Sequence, residues 1–361
     1  MVLTFIWPST VERAGGVTAL YEFANGMARR GHEVHFVHGP AWPGLITSID
    51  QLAWFRFEPS VVHHVVEELT ADALPAADVA FHPNLPGTAL PVTVVQGFRM
   101  VPLEMERQSF VQRGPKVCVS SWLVDLGRRF GVPAARLWHV PMGLDHQRFA
   151  LRVPAADRPY DVAMWDNPHP SKGSKLGWQV LADAKRAVPS LRAVVFSHEA
   201  LRPESLRCAE AMPWVDIRVG LDQDGLAAEV YDQARSFLQP SHVEGFGFTA
   251  VEAMACGAAL VTTANGGSRD YAFDGDTALV RPVGDLPGLV GAVAELATDE
   301  PLRARLAAAG ERYVRRFDWD VGAELLEGHL QAYLEDPEAF LAPLEFETAV
   351  DHDPSAELLG G

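Results

Sequence analysis

Two glutamates, Glu244 and Glu252, bracket the stretch best equipped for chemistry, PSHVEGFGFTAVEAMACG over 240–257. A carboxylate is an acceptor with two oxygens, suited to the neighbouring hydroxyls of a sugar or a ribose. Gly245 and Gly247 let backbone amides come close to a ligand. On one helix the two glutamates would lie about 80° apart, at about 100° per residue. Glu244 precedes the helix, so it can instead fold over the helix N-terminus, with Glu252 one or two turns deeper. The plain alternative is a capping Glu244 and a surface Glu252. The run Ala-Val-Glu-Ala-Met-Ala around Glu252 reads as buried and favours the functional assignment.

The elements that must hold these residues follow from local pattern. Ser236–Gln239 is a short, largely apolar run ending at Pro240, and Thr249–Cys256 has helical composition. Gly257 stands where a C-cap glycine belongs. Ala258–Thr263 is apolar and β-branched, so the chain re-enters a sheet. The loop is thus at a strand's carboxyl end, where open α/β sheets bind ligands. The helix N-terminus after it favours negative charge, by about 0.3–1 kcal/mol at an exposed site.

The chain opens on the same plan: strand Val2–Trp7, loop, helix Val17–Arg30, strand Glu33–His38. Gly15-Gly16 at that helix start suits a phosphate or sugar against backbone amides, or is only a turn. Gly39–Pro59 is loop-rich and holds Trp42, Trp54, Phe55 and Phe57. These aromatics pack a satellite core or stack on an acceptor sugar, the former being preferred. Val61–Leu69 reads as a helix, and Asp78–His82 and Val92–Gln96 as strands. His63, His64 and His82 read as surface or core histidines. Val101–Arg113 and Trp122–Phe130 read as helices, Lys116–Ser120 and Leu137–Pro141 as strands.

Val153–Pro159 is a proline-bearing linker. Beyond it come strands at Asp161–Trp165, Leu191–Ser197, Val215–Val219 and Ala278–Arg281. Helices are expected at Lys175–Val188, Leu226–Ala234, Leu286–Ala297, Pro301–Arg316 and Val321–Leu334. The expected fold class is α/β, with two Rossmann-like domains. The 361 residues leave room for both.

Hydrophobic content of 48% and charged content of 21% describe a globular protein. A net charge of −17 argues against general nucleic-acid binding and against an anionic membrane surface. The three cysteines, Cys118, Cys208 and Cys256, are too scattered for a disulfide framework or a zinc site. No metal-ligand spacing appears, and no metal or cofactor is expected. No apolar stretch approaches the roughly 20 residues of a membrane helix. The first residues show no basic n-region, so no signal peptide is expected, and the location expected is cytoplasmic.

The string P-S-x-x-E-G-F-G-x-x-x-x-E-A-M-A-x-G resembles the donor-site signature of retaining glycosyltransferases of family 4, the group 1 glycosyl transferases. VCVSSWLVDLGRRFGV and VPMGLDHQRF resemble the end of that family's first domain, with Gly143 and Asp145 at its G-x-D turn. The resemblance implies a GT-B fold: two domains facing across a cleft, the C-terminal helix crossing back to the first. The boundaries it suggests are 1–153, an acceptor domain; 160–320, a donor domain; 321–336, the returning helix; and 337–361, an acidic, partly mobile tail. It further implies that Glu244 and the Phe246-Gly247-Phe248 backbone hold the transferred sugar, and Glu252 the ribose. Lys172, beside Gly173, matches the family's diphosphate-binding lysine, and Gly266-Gly267 its second glycine loop, with Asp270 where glutamate is commoner. Gly15 and Gly16 match the first-loop glycines.

Two positions depart from the family pattern. Asn167 stands where an arginine helps to bind the diphosphate, and asparagine cannot replace that charge; Lys175 is a candidate to compensate. Gln96 stands where many members have a histidine near the reacting carbon, and glutamine cannot be a general base. The candidate catalytic residues are therefore Glu244, Lys172 and Gln96. The resemblance implies transfer from a UDP-, GDP-, ADP- or TDP-sugar to a saccharide or small-molecule acceptor, with retention and without a metal. Alternatives are a nucleotide-sugar-binding partner subunit with little activity, or a GT-B epimerase or hydrolase. A dinucleotide oxidoreductase is poorly supported, because no G-x-G-x-x-G follows the first strand.

Overall fold

A computed structural model describes residues 1–7, 9, 15–39, 46–82, 89–99, 103–342 and 355–359. Trp42, Val101 and most of the acidic tail lie outside the described residues. The chain divides into two compact units. One takes in 1–97, 101–143 and 317–354; the other takes in 98–100, 144–316 and 355–361.

The first unit carries β1 (Val2–Trp7), α1 (Gly15–Arg29), β2 (Glu33–His38), β3 (Val61–Val65), β4 (Val79–Phe81) and β5 (Leu90–Pro91). These strands form one sheet in the order β3-β2-β1-β4-β5, every pairing parallel. β6 (Thr93–Val95), α2 (Leu103–Val111), β7 (Lys116–Cys118), α3 (Ser121–Arg129) and β8 (Leu137–His139) follow, with β6, β7 and β8 in a second parallel sheet. The helix expected over Val61–Leu69 is instead strand β3. Its valines are stiff, β-branched residues that suit a pleated strand. Its histidines bond across to β2, His64 Nε2 to His35 Nδ1 at 2.9 Å and His63 Nδ1 to His38 Nε2 at 2.9 Å. Trp54, Phe55 and Phe57 gather on Tyr21, with ring centroids 5.9, 5.0 and 4.7 Å from it, a small aromatic core.

The second unit runs β9 (Tyr160–Trp165), α4 (Ser174–Ala187), β10 (Ala193–Ser197), α5 (Pro203–Ala211), β11 (Val215–Val219), α6 (Gln223–Glu229), β12 (Ala234–Gln239), α7 (Phe248–Ala255), β13 (Ala259–Thr263), β14 (Ala278–Arg281), α8 (Leu286–Thr298) and α9 (Glu300–Val314). Helix α5 was not expected from the sequence. The sheet order is β11-β10-β9-β12-β13-β14, all parallel. Such a sheet is covered on both faces, so Val162, Met164 and Leu238 on one face and Ala163, Phe237 and Leu260 on the other are all buried. Its winding direction reverses between β9 and β12. Ligands of open α/β sheets sit at that switch point, outside the strands' carboxyl ends.

Helix α10 (Trp319–Glu335) belongs to the first unit and packs on α1. Phe23 and Trp319 meet edge-on, centroids 5.8 Å apart. Arg29 pairs with Asp320 at 2.8 Å, and Glu327 takes Arg30 and His32. The two helices approach closely because Gly26 has no side chain: a Cβ there would lie 2.6 Å from the Ala323 Cβ. Gly26→Ala should gain helix propensity yet lower stability overall, since overpacking costs about 1–3 kcal/mol. Adding Ala323→Gly should recover at least about 1 kcal/mol relative to the sum of the two single changes. Thermal unfolding of the four proteins measures this, and additive shifts would show that the Gly26–Ala323 approach sets nothing.

Candidate functional site

At the carboxyl end of β9, buried Asp166 accepts from Trp178 Nε1 at 2.9 Å and from Ser205 Oγ at 2.9 Å. The loop after it folds on itself. Asn167 Oδ1 accepts from the His169 amide at 2.8 Å, and Ser174 Oγ caps the Asn167 amide at 2.8 Å. A 3₁₀ turn, Pro170–Lys172, ends at Gly173 in the left-handed region, φ +67°. Any side chain at Gly173 would collide with the Pro240 carbonyl oxygen. The His242 amide donates to Ser171 O at 2.7 Å. The loops that follow the two switch-point strands are thereby laced together.

That lacing delivers Lys172 to Glu244. Nζ lies 2.7 Å from Oε2, with the two side chains 15% and 6% exposed. Ser241 Oγ donates to the other carboxylate oxygen at 2.8 Å. The backbone of Glu244 is gripped by the second glycine loop: its amide donates to Asn265 O at 2.9 Å, and Gly267 N donates to its carbonyl at 3.2 Å. Gly266 there has φ +88°. Lys172 also stands 5.9 Å from the centre of the Trp165 ring. Lys172, Glu244, Gly266 and Gly267 thus form one cluster at the switch point.

Glu252 lies on α7 and is buried, with Oε2 accepting from Tyr231 OH at 2.8 Å. Burial pushes its carboxyl up to about 7, against the opposing pull of the Tyr231 bond and the Arg148 charge. Arg148 is itself fixed by Asp224 at 2.7 Å and Gln223 at 2.6 Å. Gly247 sits at φ +102°, just before α7, where a side chain would overlap the Tyr271 hydroxyl. Phe246 is buried and Phe248 half-buried. Lys175 is exposed in the first turn of α4. In the first unit Gln96 Nε2 donates to Gly16 O at 2.8 Å, so those two candidates are joined, with Gly15 exposed beside them.

Sequence reasoning missed Ser241, Tyr231, Arg148 and Tyr271. Ser241 carried a signal, as the serine of the P-S pair before Glu244. Tyr231 and Tyr271 reach their partners from 21 and 25 positions away, and no local pattern announces them. Among the described residues, no group of three or more His, Cys, Asp or Glu could hold a metal ion, and no helix is long and apolar enough to cross a membrane.

Residues 152–313 match the model of the family described as glycosyl transferases group 1. A D-inositol 3-phosphate glycosyltransferase of Xylanimonas cellulosilytica is 31% identical over 228 residues, 58% of this chain and 54% of that protein. A GDP-mannose-dependent alpha-(1-6)-phosphatidylinositol monomannoside mannosyltransferase of Mycolicibacterium smegmatis is 28% identical over 225 residues, 55% of this chain and 58% of that protein. The chain thus spans little more than half the length of these curated relatives. Sucrose-phosphate synthase of Thermosynechococcus elongatus has a TM-score of 0.72 at 16% identity, over 92% of this chain and 99% of that one. Anabaena HepE, solved with UDP and glucose, has a TM-score of 0.68 at 15% identity, over 92% of this chain and 100% of that one. The fold is the one these two solved structures share, the GT-B fold.

Glu252 gives a pH test. Folded Glu252 keeps its proton up to about 7, against an ordinary value of 4.5. Between those values the folded protein binds more protons than the unfolded chain, so this residue's contribution is full below 4.5 and is lost as pH rises through about 7. Glu252→Gln cannot ionise and should lack that slope. Wild-type stability relative to the variant should fall by up to about 3 kcal/mol across the window. Urea midpoints taken from about pH 4 to pH 8 measure it; parallel profiles would sink the assignment.

Proposed function

We propose that this chain, whose residues 152–313 match the model of the group 1 glycosyl transferases, moves a sugar from a nucleotide-sugar to an acceptor hydroxyl, with retention and without a metal. The observation that carries this reading is the 2.7 Å Lys172–Glu244 pair, set beneath the Gly266-Gly267 loop at the switch point of the second unit. Lys172 is the cation that meets charge building on the leaving diphosphate, where a preorganised donor is worth most. Glu244, its carboxylate aligned by Ser241, accepts from a hydroxyl of the transferred sugar. Glu252 accepts from the ribose. The acceptor attacks from the face the diphosphate leaves, and its proton passes to a phosphate oxygen. The donor is a UDP- or GDP-sugar, in line with the UDP bound by HepE and the GDP-mannose used by the mycobacterial relative. The acceptor is a saccharide or small-molecule hydroxyl, and the location is cytoplasmic.

One observation favours a second reading, a nucleotide-sugar-binding partner of low activity. The Asn167 carboxamide is engaged by the His169 amide, and it brings no charge to the diphosphate. Transfer assays separate the two readings.

Thermal shift with UDP, GDP, ADP and TDP, and with their sugars, tests the site. One nucleotide should stabilise the wild type by about 2.7 kcal/mol at a hundred times its Kd. Lys172→Met should weaken that binding about 10- to 100-fold, each variant being compared with its own ligand-free midpoint. No response of the wild type to any of the nucleotides would end the donor-site reading.

A further inference from the structure

Tyr271 is fully buried beneath the loop that carries Phe246, Gly247 and Phe248. Its hydroxyl lies 3.0 Å from the Phe246 carbonyl oxygen, with Gln239 Oε1 and Gly247 O at 3.4 Å. The phenol's one proton goes to the nearest of these, Phe246 O. Burial and the Glu244 charge hold the phenol well above the ordinary tyrosine range, so it stays a donor.

The same oxygen is confined from a second side. A Cβ on Gly267 would lie 2.6 Å from it, and a Cβ on Gly247 would overlap the Tyr271 hydroxyl. The Phe246 carbonyl is therefore drawn inward between Tyr271 and Gly267. In a trans peptide the carbonyl and the following N–H point opposite ways, so the Gly247 N–H is turned away from Tyr271. The next peptide is fixed differently. Gly247 O accepts from Ala250 N at 3.1 Å, which opens helix α7 and aims the Phe248 N–H out of its N-terminus. The Tyr271 ring packs edge-on against Phe246, centroids 5.7 Å apart, and that contact does not need the hydroxyl.

We infer that Tyr271 is a positioning residue, whose hydroxyl sets the peptide orientation that presents the Gly247 amide to the transferred sugar. This rests on the donor site proposed above. The role is confined to the sugar half of the donor, because Lys172 and Glu252 hold the nucleotide half.

Tyr271→Phe removes the hydroxyl and keeps the ring. Calorimetric titration of the full chain with UDP, GDP, UDP-glucose and GDP-mannose reads the split. Affinity for the nucleoside diphosphate should stay within about twofold of wild type, while affinity for its sugar should fall about tenfold. Equal losses for both, or no loss for the sugar, would overturn the assignment. Amide hydrogen exchange of segment 245–248 in the wild type gives an independent check. The nucleotide-sugar should slow it beyond the effect of the diphosphate alone, and equal slowing would also overturn the inference. A wild type that binds none of the four overturns the donor site itself, and this inference with it.

Discussion

The second unit is organised around a lysine and a glutamate that meet 2.7 Å apart, largely removed from water. Taking two charges out of water is costly. Their attraction offsets that cost only when geometry is good and the remaining lone pairs are satisfied. Each condition is met by a different part of the chain. Ser241 supplies the second bond to the carboxylate, and the loop at 265–267 clamps the Glu244 backbone on both sides. The Lys172 loop is held to the Glu244 loop by Ser171, Gly173, Pro240 and His242. A pair of this kind contributes little net stability by itself. Its consequence is specificity of placement, because three loops must agree before either charge is satisfied.

That requirement explains where glycine is compulsory. Gly173 needs φ +67° and faces the Pro240 carbonyl; Gly247 needs φ +102° and faces the Tyr271 hydroxyl. At each position the backbone conformation and the space both exclude a side chain. These glycines let loops interlock as well as approach a ligand. The interlocking is visible in the geometry, whereas the approach belongs to the proposed chemistry.

Much of the fold was legible because its signals are local. Parallel strands buried on both faces read as short apolar runs, and the helix between Gly247 and Gly257 is bounded by residues that declare its ends. The clearest failure, Val61–Leu69, shows the limit. Val-Val-His-His-Val fits either period over so few residues, and what decides it is pairing with β2, about 27 positions earlier in the chain. The site divides in the same way. Glu244, Glu252 and Lys172 sit in recognisable strings. The groups that tune them, Tyr231, Arg148 and Tyr271, arrive from other elements and have no pattern of their own. Asn167 is intermediate: its identity was plain from the sequence, but its engagement with the His169 amide needed coordinates.

Glu252 shows why the tuning groups matter. An isolated glutamate on α7 would be ionised at neutral pH; burial holds this one near 7, and Tyr231 and Arg148 keep it from going higher. Under the proposed function its ligand is a pair of ribose hydroxyls, which donate to the carboxylate and so favour the ionised form. Nucleotide binding is then coupled to release of a proton, because the ligand replaces with hydrogen bonds the solvation that burial removed. The burial that disfavours a charge on Glu252 is, under the proposed function, also what makes a bound hydroxyl pair strongly held. A surface glutamate, already hydrated, would gain far less from the same two bonds. The buried run around Glu252 thus supplies the low-dielectric setting in which two neutral hydroxyls can be held by one carboxylate.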